Sequence, residues 1–448
     1  MLCLTTIPTQ GQQINPILKD LIQKALQKNH ELKITDYKIS KTGIDRQKVY
    51  KTFLPVVTLN AGYTRLNDDI ILDPKLQLLL KGSEQLLIKE QLGLPFNSQL
   101  PPTIPTSEIK AIQDKNILKS SADLQWVIFT GLEAHYGIKA KQHKEKALRY
   151  AREITTKQSI NEVMQTYDQL ALVIASEKVL NSIEKQLDLK EKQVQSAVKN
   201  GLSIKIDLQK IALARQKLQI KRTETQNKKA LLWEKLHQLT GVSYTFIQNI
   251  KPDLKPLMLE KSQSQQLQKP VEIKSLEEVV QAKNSLQKMA YAKYLPKIAI
   301  KGHYEFIDDD LSMLDPKWYV GIGLKWQIFD GLKSLDQAQK LKYDKQIYIE
   351  KIQQTQELLN LAVKNARLNY RTAEKQVAMN HKAVQLAKDT YMLVEKQYAN
   401  GLVDITELLK ALTEWQNAGF KLQEAYYQQR QAAINLLNRT DRLQNIIQ

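Results

Sequence analysis

Few residues of this 448-residue chain are typed and spaced for covalent chemistry. It has no Gly-rich phosphate loop, no His-Glu-x-x-His helix, no Gly-x-Ser-x-Gly elbow and no cysteine pair. Cys3 is the single cysteine, so an internal disulfide and a cysteine metal cluster are both excluded. The six histidines are scattered. His135 and His143 share nearly one helical face, but no acidic ligands stand where they would complete a metal site. Asp308, Asp309 and Asp310 fall at a strand-to-strand turn, where exposed acids are ordinary. No catalytic residue, cofactor or metal is expected.

The acids with the most positional information are Asp207 and Glu407. "KNGLSIKIDLQKIALA" starts at Lys199 and "ANGLVDITELLKALTE" at Ala399. Each carries Asn-Gly-Leu (Asn200, Gly201, Leu202; Asn400, Gly401, Leu402), then an acid and Leu (Asp207, Leu208; Glu407, Leu408). Asn-Gly supplies the left-handed residue that ends a helix. An acid in the first turn of the next helix complements its dipole. The chemistry implied is electrostatic: a capped hairpin tip, or a charged tip offered to a partner.

Long helices must carry these tips. Residues 131–200 and 331–400 hold no proline, and Gly137 is the one glycine inside either stretch after its first residue. Such a stretch makes a helix of roughly 100 Å. In the second, Leu359, Val363, Ala366, Tyr370, Ala373, Val377, Asn380, Val384, Ala387, Tyr391, Val394 and Tyr398 alternate at spacings of four and three. That is a coiled-coil seam. Each break is followed by a further helical segment, so two hairpins are predicted, 131–241 with its tip near 200 and 331–438 with its tip near 400.

Ahead of the hairpins lie alternating segments, at about 56–66, 120–130, 297–306 and 317–329. In the last, Trp318, Val320, Ile322, Leu324, Trp326 and Ile328 take one face. Period-two alternation means one apolar and one polar face per strand. "FLPVVTLNAGYTRL" from Phe53 matches "YLPKIAIKGHYEF" from Tyr294, and "LQWVIFTGL" from Leu124 matches "LKWQIFDGL" from Leu324. With the paired tips, these matches define an internal two-fold repeat, 14–241 and 275–440. Residues 1–13 read as a disordered N-terminus or signal remnant, 242–274 as an irregular connector, 67–119 as a long loop and 441–448 as a tail. The four strands suit half of a soluble sandwich as well as a piece of barrel wall facing lipid, with Tyr63, Trp126, Tyr304, Trp318 and Trp326 at the interface.

Formal charge is +19, with 42% apolar and 25% charged residues. The basic residues lack the clustering and interleaved aromatics of a nucleic-acid groove, so no nucleic acid is expected. No run of about 18 apolar residues is present, which excludes a membrane-spanning helix but not a barrel. The fold class is therefore mainly α with a small antiparallel β part.

The ordered set of Leu-Pro before an alternating strand, "IFTG"/"IFDG" leading into a very long helix, and Gly-Leu with an acid six residues after the Gly resembles the TolC-like outer-membrane efflux proteins. "LTGV" at 239–242 adds to it, and the match runs from about Asn15 to Asn438. The resemblance implies a homotrimer in the bacterial outer membrane, extending into the periplasm. Each protomer would give four strands to a shared twelve-stranded barrel and its helices to a coiled-coil tunnel. It implies the exit duct of a tripartite efflux pump or type I secretion system, passive, gated at its periplasmic tips and not an enzyme. Its partners would be outer-membrane lipid, a periplasmic adaptor and an inner-membrane transporter of resistance-nodulation-division or ABC type. The tip residues named above would face the adaptor, and Asp389 and Glu395 are candidates for a tunnel constriction. The loop 67–119 would be extracellular. A soluble coiled-coil scaffold or periplasmic adaptor with a small β-domain is the other reading of the same elements.

Overall fold

The computed structural model describes residues 15–104, 108–259, 269–308 and 316–443. Asp309, Asp310, Cys3, the segment 1–13 and most of the C-terminal tail lie outside them. In chain order the elements are α1 (Pro16–Lys28), α2 (His30–Lys51), β1 (Val56–Arg65), α3 (Pro74–Gln91), β2 (Asn116–Phe129), α4 (Glu133–Lys199) and α5 (Lys205–Thr240). They continue as α6 (Tyr244–Gln248), α7 (Val271–Ala292), β3 (Lys297–Asp308), β4 (Trp318–Lys325), α8 (Lys333–Ala399) and α9 (Ile405–Arg439). Both long helices are 67 residues, and each begins and ends two hundred positions from its mate.

Two compact units share the chain. The first takes the chain up to Thr42, His143–Gln281 and the chain from Lys345; the second takes Gly43–Gln142 and Ala282–Asp344. The first has two apolar cores. One gathers Leu18, Leu21, Ile22, Val163, Leu170, Leu236, Ile247 and Ile434 from α1, α4, α5, α6 and α9. The other lies behind the tips and joins Leu180, Ile183, Leu187, Val194, Ile211, Tyr391, Ile405 and Leu408. The connector after α6 is tied in by side chains. Gln429 accepts from Leu257 N at 2.8 Å and donates to Leu257 O at 2.8 Å. Tyr370 Oη accepts from Leu259 N at 3.1 Å.

The second unit holds a four-stranded antiparallel sheet in the order β1-β2-β3-β4. Register aligns Leu124 with Val57 and Gly302, and Ala122 with Leu59 and Tyr304, on one face. That face is bare. Leu59 is 73% exposed, Val320 69% and Ile322 78%, and Tyr63, Trp126, Tyr304 and Trp318 are exposed with them. Among the described residues no second layer covers this face, so the chain does not by itself complete a sandwich. The other face is polar and bonded across strands. Asn60 Nδ2 donates to Asp123 Oδ2 at 2.6 Å, and His303 Nδ1 meets Asp123 Oδ1 at 2.7 Å. His303 also stacks on Tyr319. Strands β1 and β4 are the two sheet edges.

Three expectations need correction. The segment 67–119 is not all loop: Asp73 caps α3 by accepting from Lys75 N at 2.8 Å, with Pro74 at the first helical position. Strand β2 then starts at Asn116. Strand β4 stops at Lys325, short of Trp326. There the chain turns, and the Trp326 indole donates to Tyr294 O at 2.9 Å. The connector is not irregular throughout, because it contains α6 and the start of α7.

The two halves share positive-φ backbone where the chain enters the long helices. Gly131 and Gly331 have φ of 62° and 69°, and Leu132 and Leu332 both have 66°. A leucine at positive φ is uncommon, and here it recurs at equivalent places. The Trp126 indole bonds Phe53 O at 2.9 Å, as Trp326 bonds Tyr294 O.

Candidate partner-binding tips and apolar outer faces

Each tip is built by a left-handed glycine. Gly201 and Gly401 both have φ of 72°. Leu202 N donates to Ala197 O at 2.8 Å, and Leu402 N to Gln397 O at 2.9 Å. This six-to-one bond closes the last turn of α4 and of α8. It also turns both leucines outward: Leu202 is 81% exposed and Leu402 72%. Asn200 and Asn400 are exposed beside them.

The predicted acids then part company. Asp207 is half-buried and accepts from Ser203 Oγ at 2.7 Å. Burial, and Asp207 nearby, hold the Tyr398 phenol above its ordinary range. Glu407 is exposed in the first turn of α9. The cap of that helix is Asp404, which accepts from Thr406 N at 2.8 Å and Glu407 N at 3.0 Å. These bonds keep the Asp404 carboxyl below the usual range. Its sequence signal was an Asp-x-x-Glu box, which the spacing argument on Glu407 passed over. The equivalent position before α5 is Ile204, without a side-chain cap.

Leu408 is fully buried and Leu208 half-buried, both in the core behind the tips. Leu408 is thus not free to face a partner, a correction to the predicted tip set, while Leu208 keeps part of its surface open. Their periodicity places them on the inner side of α5 and α9. Lys210 Nζ donates to Thr406 Oγ1 at 2.8 Å, linking one tip to the other.

The constriction candidates also differ. Asp389 is exposed on α8 between Leu386 and Leu393. Glu395 pairs with Lys190 of α4, whose side chain is 5% exposed and also donates to Gln193 Oε1 at 2.9 Å. Just above, Tyr391 is buried, its phenol raised by burial and then by Glu395. Its hydroxyl lies 3.3 Å from Gln186 Oε1.

The two hairpins are fastened unequally. On α5, Arg215, Arg222 and Lys229 recur every seven residues. Arg215 pairs with Asp188 and Glu191, Arg222 with Glu184, and Lys229 with Glu177, all on α4. Between α8 and α9 no salt bridge occurs among the described residues.

Helix α8 presents two stripes. Ala366, Tyr370, Ala373 and Tyr391 of the predicted seam are buried. Two residues beyond Ala366 and Tyr391, about 200° round the helix, Leu368 and Leu393 are 62% and 58% exposed. Leu358, Leu361, Met379 and Leu386 extend this outer stripe. On α5, Ile206, Leu213 and Ile220 do the same at heptad spacing. Among the described residues no cluster of His, Cys, Asp and Glu could hold a metal ion, and no helix is long and apolar enough to cross a membrane.

An edge-open sheet bare on its apolar face, with two 67-residue helices ending in paired tips, is the fold this chain shares with the solved outer-membrane channels named below. The family model described as outer membrane efflux protein matches residues 263–440. Among solved structures, the chain is similar to the Campylobacter jejuni CmeC outer membrane channel, at 17% identity and a TM-score of 0.74, covering 98% of this chain and 91% of that one. It is similar to the outer membrane protein VceC of Vibrio cholerae at 13% identity and a TM-score of 0.72, covering 95% and 96%. For the open-state Neisseria gonorrhoeae MtrE outer membrane channel the values are 15%, 0.67, 96% and 90%. No curated protein matches the sequence. The resemblance read from the sequence is thus borne out, in fold over nearly the whole chain and by family model over the second repeat.

Proposed function

We propose that three copies of this chain form the outer-membrane exit duct of a tripartite efflux pump. The carrying observation is the placement of large apolar side chains on surfaces that one protomer leaves uncovered. The sheet shows Leu59, Val320 and Ile322 outward and has two unpaired edges, so it needs lipid on one face and further strands at both sides. Helices α5 and α8 carry outer stripes that need neighbouring helices. A soluble scaffold or adaptor has no use for the bare sheet face. The type I secretion role uses the same duct and differs only in the transporter.

The duct would be passive, in keeping with the lack of any metal-holding cluster among the described residues. The exposed tip residues, Leu202, Ile204, Leu402 and Glu407, with Asp207 beside them, would meet a periplasmic adaptor, and an inner-membrane transporter of resistance-nodulation-division or ABC type would supply the energy. Opening would have to part Lys190 from Glu395, Lys210 from Thr406 and Tyr391 from Gln186, side-chain links between the two hairpins near their tips. Asp389, exposed on α8, would then be the candidate for the constriction.

Membrane fractionation, native mass spectrometry in detergent and planar-bilayer conductance test the duct. A detergent-requiring trimer that conducts is the expected result; a water-soluble monomer after export would refute it. Reversing Asp207 and Glu407 together to Lys should weaken adaptor capture and leave the trimer intact. Unchanged capture would assign both acids to helix starts alone.

A further inference from the structure

The two repeats run on fixed offsets. Helix α8 begins and ends two hundred positions after α4, while α7 and β3 begin 241 positions after α2 and β1 (His30 and Val271, Val56 and Lys297). Strand register keeps both offsets, since Leu124 lies opposite Val57 and Leu324 opposite Ile298. Every contact that α7 and β3 make on α4 and β2 therefore has a counterpart, in which α2 and β1 would meet α8 and β4. Within one chain the counterparts are unmade, as β1 and β4 are the two sheet edges.

The surfaces left over are specific. A Cβ at Gly131 would lie 2.9 Å from Leu295 O and 3.0 Å from Leu295 Cβ, so Leu295 closes that elbow. Gly331 has a similar positive φ, but among the described residues nothing stands within 4 Å of its Cβ position. Leu54, the match of Leu295, is exposed. Further along, Gly137 and Ala140 are buried, whereas Gln337 and Lys340 are bare. In the first unit Ser275 Oγ donates to Ala147 O at 3.1 Å. The matching residues, Ile34 and Ile347, are both exposed. The strands differ in the same sense. Strand β2 pairs with β1 only as far as Gln125, and runs on to Phe129 because β3 lies along its other side. Strand β4 pairs with β3 as far as Lys325, the equivalent residue, and ends there.

We infer that a second copy of this chain makes the missing contacts: α2 and β1 of one copy pack on α8 and β4 of the next, as α7 and β3 pack on α4 and β2 within a chain. The inference rests on the trimeric duct proposed above and adds which surfaces meet, and in which register. Leu124 opposite Gly302 places Leu324 opposite Ala61 of the partner subunit; Ala122 opposite Tyr304 places Ile322 opposite the partner's Tyr63. Asp123 opposite His303 places Gly323 opposite the partner's Gly62. In this register the apolar face of β1 continues that of β4, and a slip of one residue would turn it to the polar side. Strand β4 then gains the neighbour that lets it run past Trp326, as β2 runs past Trp126. The partner's Leu54 fills the elbow at Gly331, and the partner's Ile34 meets Ile347. A contact between unlike surfaces builds a ring, whereas β1 edges meeting each other would build a two-fold pair.

The test uses the full chain with Cys3→Ser and one cysteine pair, either Ile322→Cys with Tyr63→Cys or Gly323→Cys with Gly62→Cys. Successive pairs across antiparallel strands alternate between wide and close spacing, so one of the two has the closer geometry. Mild oxidation should link most chains into covalent dimers and closed trimers on denaturing gels. Ile322→Cys with Leu59→Cys, four residues out of register, should give none. Ile34→Cys with Ile347→Cys, joined by a short bis-maleimide, repeats the test on the helices and serves where the sheet variants fail to assemble. Trimers by native mass spectrometry that cross-link at none of these pairs overturn the interface. Cross-linking by Tyr63→Cys alone would show β1 edges meeting each other, and overturns it as well. Absence of trimers would instead bring down the duct, and this interface with it.

Discussion

Replacing Arg430 with Met should destabilise the first unit while changing little exposed surface. Asp168 is 1% exposed, and Arg430, at 15%, meets its Oδ1 through Nε at 2.9 Å and Nη2 at 2.8 Å. Gln431 Nε2 reaches the other oxygen at 3.2 Å, and Arg430 Nη1 donates to Lys255 O at 3.0 Å. Burial pushes the Asp168 carboxyl above its ordinary range, and Arg430 pulls it back. The same burial, with Asp168 adjacent, takes the neighbouring Tyr167 phenol to about 12. Methionine keeps much of the aliphatic stem and removes the guanidinium, leaving a buried carboxylate with one weak donor. Breaking a buried pair in this way costs about 3–5 kcal/mol. The pair is too buried for the discount that surface ion pairs require.

For a chain of this size, ~2.1 cal/mol/K per residue converts ~4 kcal/mol into a melting shift of about 4 °C. Thermal loss of helix signal in detergent would measure it. Adding Asp168→Asn removes the stranded charge and should recover more than half of the loss. The sign with pH follows from Asp168 being raised on folding. The folded state then binds the extra proton, so stability falls as pH rises through the unfolded value toward the folded one. In Arg430→Met the folded value rises further, and the deficit against the parent should shrink as the pH is lowered from neutral toward ~4. A deficit independent of pH, unaltered by Asp168→Asn, would show that only packing had been lost.

The tips give two sharper local tests. Asp404→Ala should speed amide exchange in the first turn of α9, and Ile204→Asp should supply the missing cap of α5 and slow exchange there. Equal exchange in all three proteins would refute the capping assignment. Gly131→Ala should be far worse than Gly201→Ala. Both put Ala at positive φ, at ~1–2 kcal/mol, but a Cβ at 131 lies 2.9 Å from Leu295 O, whereas nothing stands within 4 Å at 201. Melting of the two variants orders them.

Features that repeat were legible. The Asn-Gly-Leu breaks, the strand alternation and the seam through Ala366, Tyr370 and Tyr391 each rest on local spacing, and each sits where spacing puts it. Features made by distant partners were not. Lys190 looks like any helix lysine until α8 brings Glu395 to it. Arg430 and Asp168 are 262 residues apart. Helix α3 was legible in part, since Asp73-Pro74 is a start signal, but its leucines suited a loop in a chain already read as sheet and hairpins. Leu408 shows the reverse error: a motif position taken as surface is core, because a helix start has an inside as well as an outside.

The two bare edges of the sheet also bear on how the chain reaches its final state. A lone copy presents β1 and β4 with open backbone groups, beside an apolar face that water cannot satisfy. If the trimeric duct proposed above forms, folding of one chain is an unfinished reaction, completed only in a step whose rate depends on how many copies are present. Until then the intermediate is poised to pair with any exposed strand it meets, its own kind or another. Slow synthesis lengthens that exposure and fast synthesis multiplies the wrong encounters, so the yield of assembled protein should peak at an intermediate rate of supply.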